Sequence, residues 1–427
     1  MTKMNRKIIC FLSVLVGTGW FGTVPMLPRY LDIAHHLIGQ TQSSVHNQPE
    51  TINHSPLRPE ITLTFLGDLM AHRPNFEMRD FSRIYSGLGE LLLEDDLTFA
   101  NLEFVVDPDV PYSTYPRFNV HPPYVWAALE AGVDVFSLAN NHTNDHGLAS
   151  TFATLRSLEL LRNQLADNYP DRPMLTWSGI REALGDPFEI TPIQYRGWHI
   201  GFLSITDFLN DYTGSASTYL VPFWDRPAQE RLLDLIRQES PKYDLFILAF
   251  HSGDEYVLEP PPRVQRMLHA LYDAGAHIVW GHHPHVIQPW EVRYAQDLGQ
   301  RVGFIMPSMG NFISGQTWRL GPEDGLLRRA YTGDTAVLRL RARWDYRSNR
   351  PVFGHPTPIW ISTHNTWFDG QRETHLRLQK DLLRELHGPW LEFFTLRHQA
   401  MLNLTREAQQ MPDWFLEVKA QRYGIER

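Results

Sequence analysis

The chain of 427 residues has a single cysteine, Cys10. An intrachain disulfide, a cysteine-ligated zinc site and an iron–sulfur cluster are therefore excluded. Basic charge is also short: 39 Lys and Arg stand against 48 Asp and Glu, a formal net charge of −9. A nucleic-acid-binding chain normally shows a basic excess, so no nucleic-acid partner is expected. There is no Gly-x-x-x-x-Gly-Lys loop, which argues against a nucleotide-driven motor. Ser204, Ser252 and Ser308 lie near predicted strand ends, yet none sits in a Gly-x-Ser-x-Gly elbow, which weakens a serine-hydrolase reading. A cysteine nucleophile is excluded from the folded part because Cys10 falls in an apolar run. No internal repeat is visible. With 43% hydrophobic and 20% charged residues the composition is that of a globular protein. The length fits two to three domains, or one large α/β domain with appendages. Histidine is the abundant residue, with 20 copies. It is the commonest metal ligand and a frequent general acid, so its placement is the main lead to function.

Lys3, Arg6 and Lys7 precede an uncharged run from Ile8 to Leu27. At ~1.5 Å per residue the run is roughly 30 Å long, one bilayer core. The basic start places Met1 in the cytoplasm and the rest of the chain outside it. The expectation is a single-pass signal anchor over residues 1–34 in a bacterial cell membrane. Secretion after signal cleavage is the alternative, although Gly17-Thr18-Gly19 followed by Trp20 is a poor cleavage site. Residues 35–60, rich in His, Gln, Ser, Asn and Pro, read as a linker.

From Ile61 short apolar segments alternate with helical patterns, the signature of an α/β domain. Strands are predicted at Ile61–Leu66, Thr98–Leu102, Val133–Leu138, His199–Ile205, Leu245–Phe250, His277–Trp280, Val302–Met306 and Ala336–Leu340. Helices are predicted at Pro122–Ala131, Ser150–Leu165, Pro227–Gln238 and Pro262–Ala274, the last two with proline in the first turn. This domain is expected to span 61–365, and 366–427 to be a helical extension. Within the extension, Leu376, Leu382, Leu383, Leu386, Trp390, Phe393 and Leu396 recur at helical spacing. Residues 206–224, with Tyr212, Tyr219, Phe223 and Trp224, are either an ordinary surface loop or a cover over the substrate.

Chemistry collects at the ends of the predicted strands. The first runs into Gly67-Asp68, with His72 following; the second ends Asn101-Leu102-Glu103. The third leads into Asn140-Asn141-His142 and Asp145, and the fifth into His251-Ser252-Gly253-Asp254-Glu255. The sixth is followed by Gly281-His282-His283-Pro284-His285, and the seventh by Met309-Gly310-Asn311. In open α/β sheets ligands bind at the carboxyl ends of strands, so folding gathers these residues into one cleft. Taken singly, each has a bland reading as a turn, a helix cap or a buried histidine. Three histidines in four residues after a strand are harder to dismiss. Carboxylate, imidazole and amide donors suit divalent metals such as Mn, Fe or Zn. Two ions ~4 Å apart can share a carboxylate and a water of lowered pKa, and a histidine outside the ligand set can protonate the leaving oxygen.

These motifs, in this order, resemble the capsule-biosynthesis CapA family, the poly-γ-glutamate synthesis group of the calcineurin-like metallophosphoesterase superfamily. The resemblance covers about 61–365. It implies a four-layer α/β/β/α sandwich with a dinuclear centre at one end. It also implies ligand roles for Asp68, Glu103, Asn141, His251, His283 and His285, and an acid role for His142. His72, His282, Asn140, Asp145, Glu255 and Asn311 are additional candidates. Three residues depart from the pattern: Met70 where the superfamily commonly has His, Glu103 where it has a bridging Asp, and Ser252 where the family usually has Trp. The expected activity is hydrolysis of a phosphoester or of an amide in an anionic polymer. The alternative is a non-catalytic scaffold or polymer-handling subunit of a membrane capsule synthase, which would make synthase subunits its partners.

Overall fold

The structure, a computed structural model, describes residues 58–295, 299–317, 320–325 and 328–409. The expected anchor and nearly all of the linker lie outside the described residues. Among the described residues, no helix is long and apolar enough to cross a membrane.

The fold is mixed α/β. The strands that matter are β1 (Ile61–Leu69), β2 (Leu97–Leu102), β3 (Val135–Ser137), β4 (Thr176–Ser178), β5 (Thr191–Tyr195), β6 (Trp198–Thr206), β7 (Leu245–His251), β8 (Ile278–His282), β9 (Arg301–Met306), β10 (Asp334–Asp345), β11 (Arg350–Phe353), β12 (Thr357–Phe368) and β13 (Gln371–Leu378). The longer helices are α1 (Pro122–Ala131), α2 (Leu148–Asn168), α3 (Arg226–Glu239), α4 (Pro262–Asp273) and α5 (Gly388–Gln409). One 15-stranded sheet runs β4-β3-β2-β1-β10-β11-β9-β8-β7-β6-β5. It contains two parallel arms. In the first, β1 to β4 pair in parallel. In the second, β6 to β9 pair in parallel. The antiparallel strands β10 and β11 join them.

Successive side chains of a strand point to opposite faces, and the sequence uses both. In the first arm Phe65, Phe99 and Val135 face the second arm, sharing a core with Phe202, Ile247, Trp280 and Phe304. Their neighbours Leu66, Ala100 and Phe136 turn outward onto Tyr124 and Leu129 of α1 and Leu158 and Leu161 of α2. In the second arm Leu203, Leu248 and Phe250 pack outward on Leu232 and Ile236 of α3 and Leu268 and Leu271 of α4. Aromatic rings cross between the arms, with Phe99 centred 5.7 Å from Phe202 and Phe65 5.7 Å from Trp280. Strands buried on both faces read as continuous apolar runs, which is why their positions show in the sequence.

The C-terminal region differs from the expected helical extension. Residues 371–378 form β13, paired antiparallel with β12, and helix begins only at Gln379. Apolar spacing misleads here because β13 buries Glu373 and Thr374 beside Leu376. Phe393 is buried as expected, while Trp390 and Leu396 are exposed. Helix α5 is tied down by a buried ion pair, with Arg397 Nε donating to Asp334 Oδ2 at 2.6 Å and Nη2 to Oδ1 at 2.8 Å.

Candidate metal centre

Parallel strands in each arm end at one edge, and the polar residues predicted there converge. Asp68, near the end of β1, is fully buried. Gly67 before it has no room for a side chain, since a Cβ would fall 1.8 Å from the Gly310 carbonyl oxygen. That close approach lets the Asp68 N–H donate to Gly310 O at 2.9 Å, which fixes the carboxylate. Asp68 Oδ2 lies 3.1 Å from His285 Nδ1, and Oδ1 lies 3.2 Å from His282 Nδ1, out of line for a hydrogen bond.

Glu103 follows β2 and is also fully buried. Its Oε1 lies 3.7 Å from His251 Nε2 and 3.9 Å from His285 Nε2. Among the described residues two sets of donor atoms lie close enough to hold an ion: Glu103, His251 and His283, and Asp68, Glu103 and His285. Both use Glu103. Asn141, after β3, joins them through its Oδ1, 2.7 Å from His251 Nε2. The bends that present the second-arm histidines are unusual. His283 and His285 have φ of 97° and 58°, a left-handed region that costs a side-chain-bearing residue energy and recurs at functional sites.

The electrostatics of the cluster suit a divalent cation. Burial pushes the Glu103 carboxyl well above its ordinary range, reinforced by the charges of Asp68, Glu255 and Asp145. Burial raises Asp68 too, but contacts with His282 and His285 prevail and hold it low. Burial lowers His251 well below the usual imidazole range and, with His285, takes His283 to about 3. Neutral imidazoles and carboxylates are the forms that bind metal. Among the described residues Glu103 Oε1, His283 Nδ1 and the Asn101 carbonyl oxygen are buried without a hydrogen-bond partner. Unpaired buried polar atoms are costly, and three beside one cluster fit oxygen and nitrogen donors prepared for a cation.

The other candidates separate into roles. His142 lies beside the cluster, with Nδ1 2.6 Å from Asp145 Oδ2, and both residues are buried. Asn140 is committed to the loop, its amide donating to Leu102 O and its oxygen accepting from the His142 N–H. Asn311 pairs beside Asp68 in the sheet and donates to Gln316 and to Thr332 O. Glu255 is exposed and reaches Glu103 only through its charge. The Met70 side chain is buried in the core against α1 and α2 and is no ligand. His72 belongs to neither donor set; its ring packs on Phe118 at 5.0 Å, and Phe118 packs on His142 at 4.6 Å. Ser252, where the family usually has Trp, donates to Asp207 Oδ2 at 2.6 Å.

Two site residues have no role assigned from the sequence, although Asn101 stands in the Asn101-Leu102-Glu103 strand end. Asn101 donates from Nδ2 to Asp68 Oδ1 at 2.8 Å and lies 3.3 Å from Glu103 Oε2. It stands two residues before Glu103, on the same face of an extended chain, and that period was the available signal. Asn210 places Nδ2 3.3 Å from His142 Nε2. It sits in the 206–224 segment, and no local pattern marks it.

A family model described as bacterial capsule synthesis protein PGA_cap matches residues 62–316. The capsule biosynthesis protein CapA of Bacillus anthracis is 29% identical over 329 residues, covering 73% of this chain and 75% of that protein. The PGA biosynthesis protein CapA of Bacillus subtilis (strain 168) is 24% identical over 275 residues, covering 63% and 67%. Among solved structures, TT1561 of Thermus thermophilus aligns with 70% of this chain and 99% of its own at 12% identity, with a TM-score of 0.34, too low to bear on the fold. The matched family segment is more than half of the chain and contains every residue of both donor sets. This chain therefore belongs to the bacterial capsule synthesis PGA_cap family, the family of the CapA proteins.

Proposed function

We propose that the chain is a metal-dependent hydrolase of capsule or poly-γ-glutamate metabolism. In this reading Ile8–Leu27 anchors it in the membrane, and the α/β domain, a four-layer sandwich of the metallophosphoesterase kind, works outside the cytoplasm. Its substrate is a phosphoester or an amide of an anionic polymer. The observation that carries the reading is the pair of buried donor sets sharing Glu103, with His142 and Asp145 beside them. Two divalent ions held there supply Lewis acidity to water and to a phosphoryl or carbonyl oxygen.

The chain's own residues do the rest. Asn101 holds the Asp68 carboxylate in place from its amide. Asp145 Oδ2 accepts from His142 Nδ1 and is itself fixed by the Phe118 N–H at 2.7 Å. That arrangement keeps a proton on Nδ1 beside the Asp145 carboxylate, which favours the doubly protonated ring; Nε2, 3.3 Å from Asn210 Nδ2, is then the nitrogen that gives its proton to the leaving atom and returns the ring to the neutral form. Burial of the pair keeps bulk water from competing for that proton.

A second reading, a scaffold or polymer-handling subunit beside membrane synthase subunits, has one observation in its favour. Met70 stands where the superfamily commonly has a ligand histidine, and His72 does not enter the donor sets. The test is elemental analysis of purified full-length protein together with hydrolysis of phosphoester and γ-glutamyl substrates. About two divalent ions per chain, and turnover abolished by chelator and by His142→Ala, support the hydrolase. Metal-free protein after reconstitution with Mn and Zn, or turnover unchanged in His142→Ala, sinks it.

A further inference from the structure

The same architecture that gathers the metal donors brings the starts of two helices to the same edge. In the second arm β6 ends at Thr206 and β7 at His251, and the helices α3 and α4 begin at Arg226 and Pro262. Between those helix starts lies a cavity of about 330 Å³ lined by Asp207, Phe223, Arg226, Gln229, Arg263 and Arg266. This is within the size range of small-ligand sites. Gln229 donates to the carbonyl oxygens of Pro222 and Phe223, so the end of the 206–224 segment forms one wall.

Three arginines in one cavity are unexpected on a chain of net charge −9. Arg263 is engaged, with Nη2 2.6 Å from Asp254 Oδ1. Among the described residues, Arg226 and Arg266 have no acidic partner within ion-pair distance. The acidic groups nearby are otherwise committed: Asp207 accepts from Ser252 and Asp225 caps α3 through the Ala228 N–H. The first turns of α3 and α4 add the partial positive charge of a helix start. Phe223 is 53% exposed and gives the cavity an apolar wall.

The cavity adjoins the metal centre through Asp207 and through Phe250, the residue before His251. Asp207 in its wall holds Ser252, the residue after the ligand His251. We infer that this cleft is an oxyanion subsite, in which Arg226 and Arg266 hold a carboxylate or phosphate of an extended polyanionic chain whose neighbouring unit lies at the metal centre. Phe223 covers the apolar stretch of chain between two charged groups. The inference rests on the reading of the metal centre as the place where substrate binds.

The test is equilibrium binding by calorimetry to full-length protein in detergent. The probes are a γ-linked glutamate oligomer, inorganic polyphosphate of matched charge, and inorganic phosphate. Exposed charge contacts contribute up to about 1 kcal/mol each, so Arg226→Gln/Arg266→Gln should weaken the preferred chain about fivefold per residue and roughly twentyfold together. Lys at both positions should recover most of the affinity, and the loss should shrink at high salt. Both side chains are exposed, so the fold should survive, which a thermal melt checks. The probe that binds more tightly identifies the oxyanion as carboxylate or phosphate, and a preference for either over free phosphate supports the subsite. Unchanged chain affinity in the double Gln variant, or no chain binding to the unmutated protein, overturns it. Metal content and turnover of the unmutated protein, measured beside its chain binding, separate the two claims. Arginine-dependent chain binding without metal or turnover keeps the subsite and sinks the hydrolase. Metal and turnover without arginine-dependent binding do the reverse.

Discussion

The two arms of the sheet bring different chemistry to their shared edge. The first arm delivers oxygen: Asp68 from β1, Glu103 after β2 and Asn141 after β3. The second delivers nitrogen: His251 from β7, His282 from β8, and His283 and His285 just beyond it. Each donor set combines the two, with one or two carboxylates from one arm and one or two imidazoles from the other. Neither arm alone can surround an ion. A metal held here would be a clasp between arms that elsewhere are joined through β10 and β11, and correct packing of the shared core would be a condition for the site to form.

The comparison is broken most completely at Glu103, because that residue serves both sets. Glu103→Ala should reduce bound metal from about two ions per chain to none and abolish hydrolysis. Asp68→Ala and His283→Ala each remove a donor from one set only, so each should leave about one ion bound. Elemental analysis of the three variants decides the matter. Two ions retained by Glu103→Ala would exclude a shared carboxylate.

His142 tests whether the first arm also provides the proton. His142→Gln should lower turnover by roughly 10²- to 10⁴-fold while the metal content stays the same. Asp145→Asn should cost less, since Asp145 acts by orienting the ring. The effect of His142→Gln should shrink on a substrate whose leaving group departs without a proton, such as a nitrophenyl ester. An equal loss on good and poor leaving groups would assign His142 a positioning role instead.

The donors were legible in the sequence because each follows a short apolar strand, and buried parallel strands are the easiest elements to see. All eight predicted strands form, with ends shifted by one to several residues: β10 extends to Asp334–Asp345, and the predicted Val133–Leu138 shortens to Val135–Ser137. What the sequence could not show is what depends on distant packing. Asn101 becomes part of the site only when β1 lies beside β2, and Asn210 only when its loop crosses over His142. The β12–β13 hairpin was hidden because its strands alternate weakly and bury threonine and glutamate, leaving Leu376 to fall into a helical spacing by coincidence. The arginine-lined cleft needed the two helix starts to be placed side by side, which no local pattern encodes.

The smallest expected effect is on stability, and there Glu103 of the first arm titrates with opposite sign to the imidazoles of the second in the metal-free protein. Unfolded imidazole has a pKa near 6.5, whereas burial with the neighbouring His285 holds folded His283 at about 3. Below pH ~6.5 the unfolded chain binds a proton that the native ring refuses, so this stability is present above 6.5 and is lost as pH falls toward 3. His251, lowered by burial, acts in the same direction. Glu103 does the reverse: its folded pKa is raised, so the native state keeps a proton that the unfolded chain gives up above pH ~4.5, and its contribution worsens as pH rises. Metal reverses that penalty by holding Glu103 ionised, and at a hundredfold excess over Kd it adds about 2.7 kcal/mol per site. The rise in melting temperature on adding Mn or Zn should therefore be larger at pH 8 than at pH 5, because the buried imidazoles are already neutral at both values, whereas the proton that an ion must displace from Glu103 is given up more readily at pH 8. Melts with and without chelator at the two pH values measure the difference, and an equal rise at both would mean that metal binding does not draw on the Glu103 carboxylate.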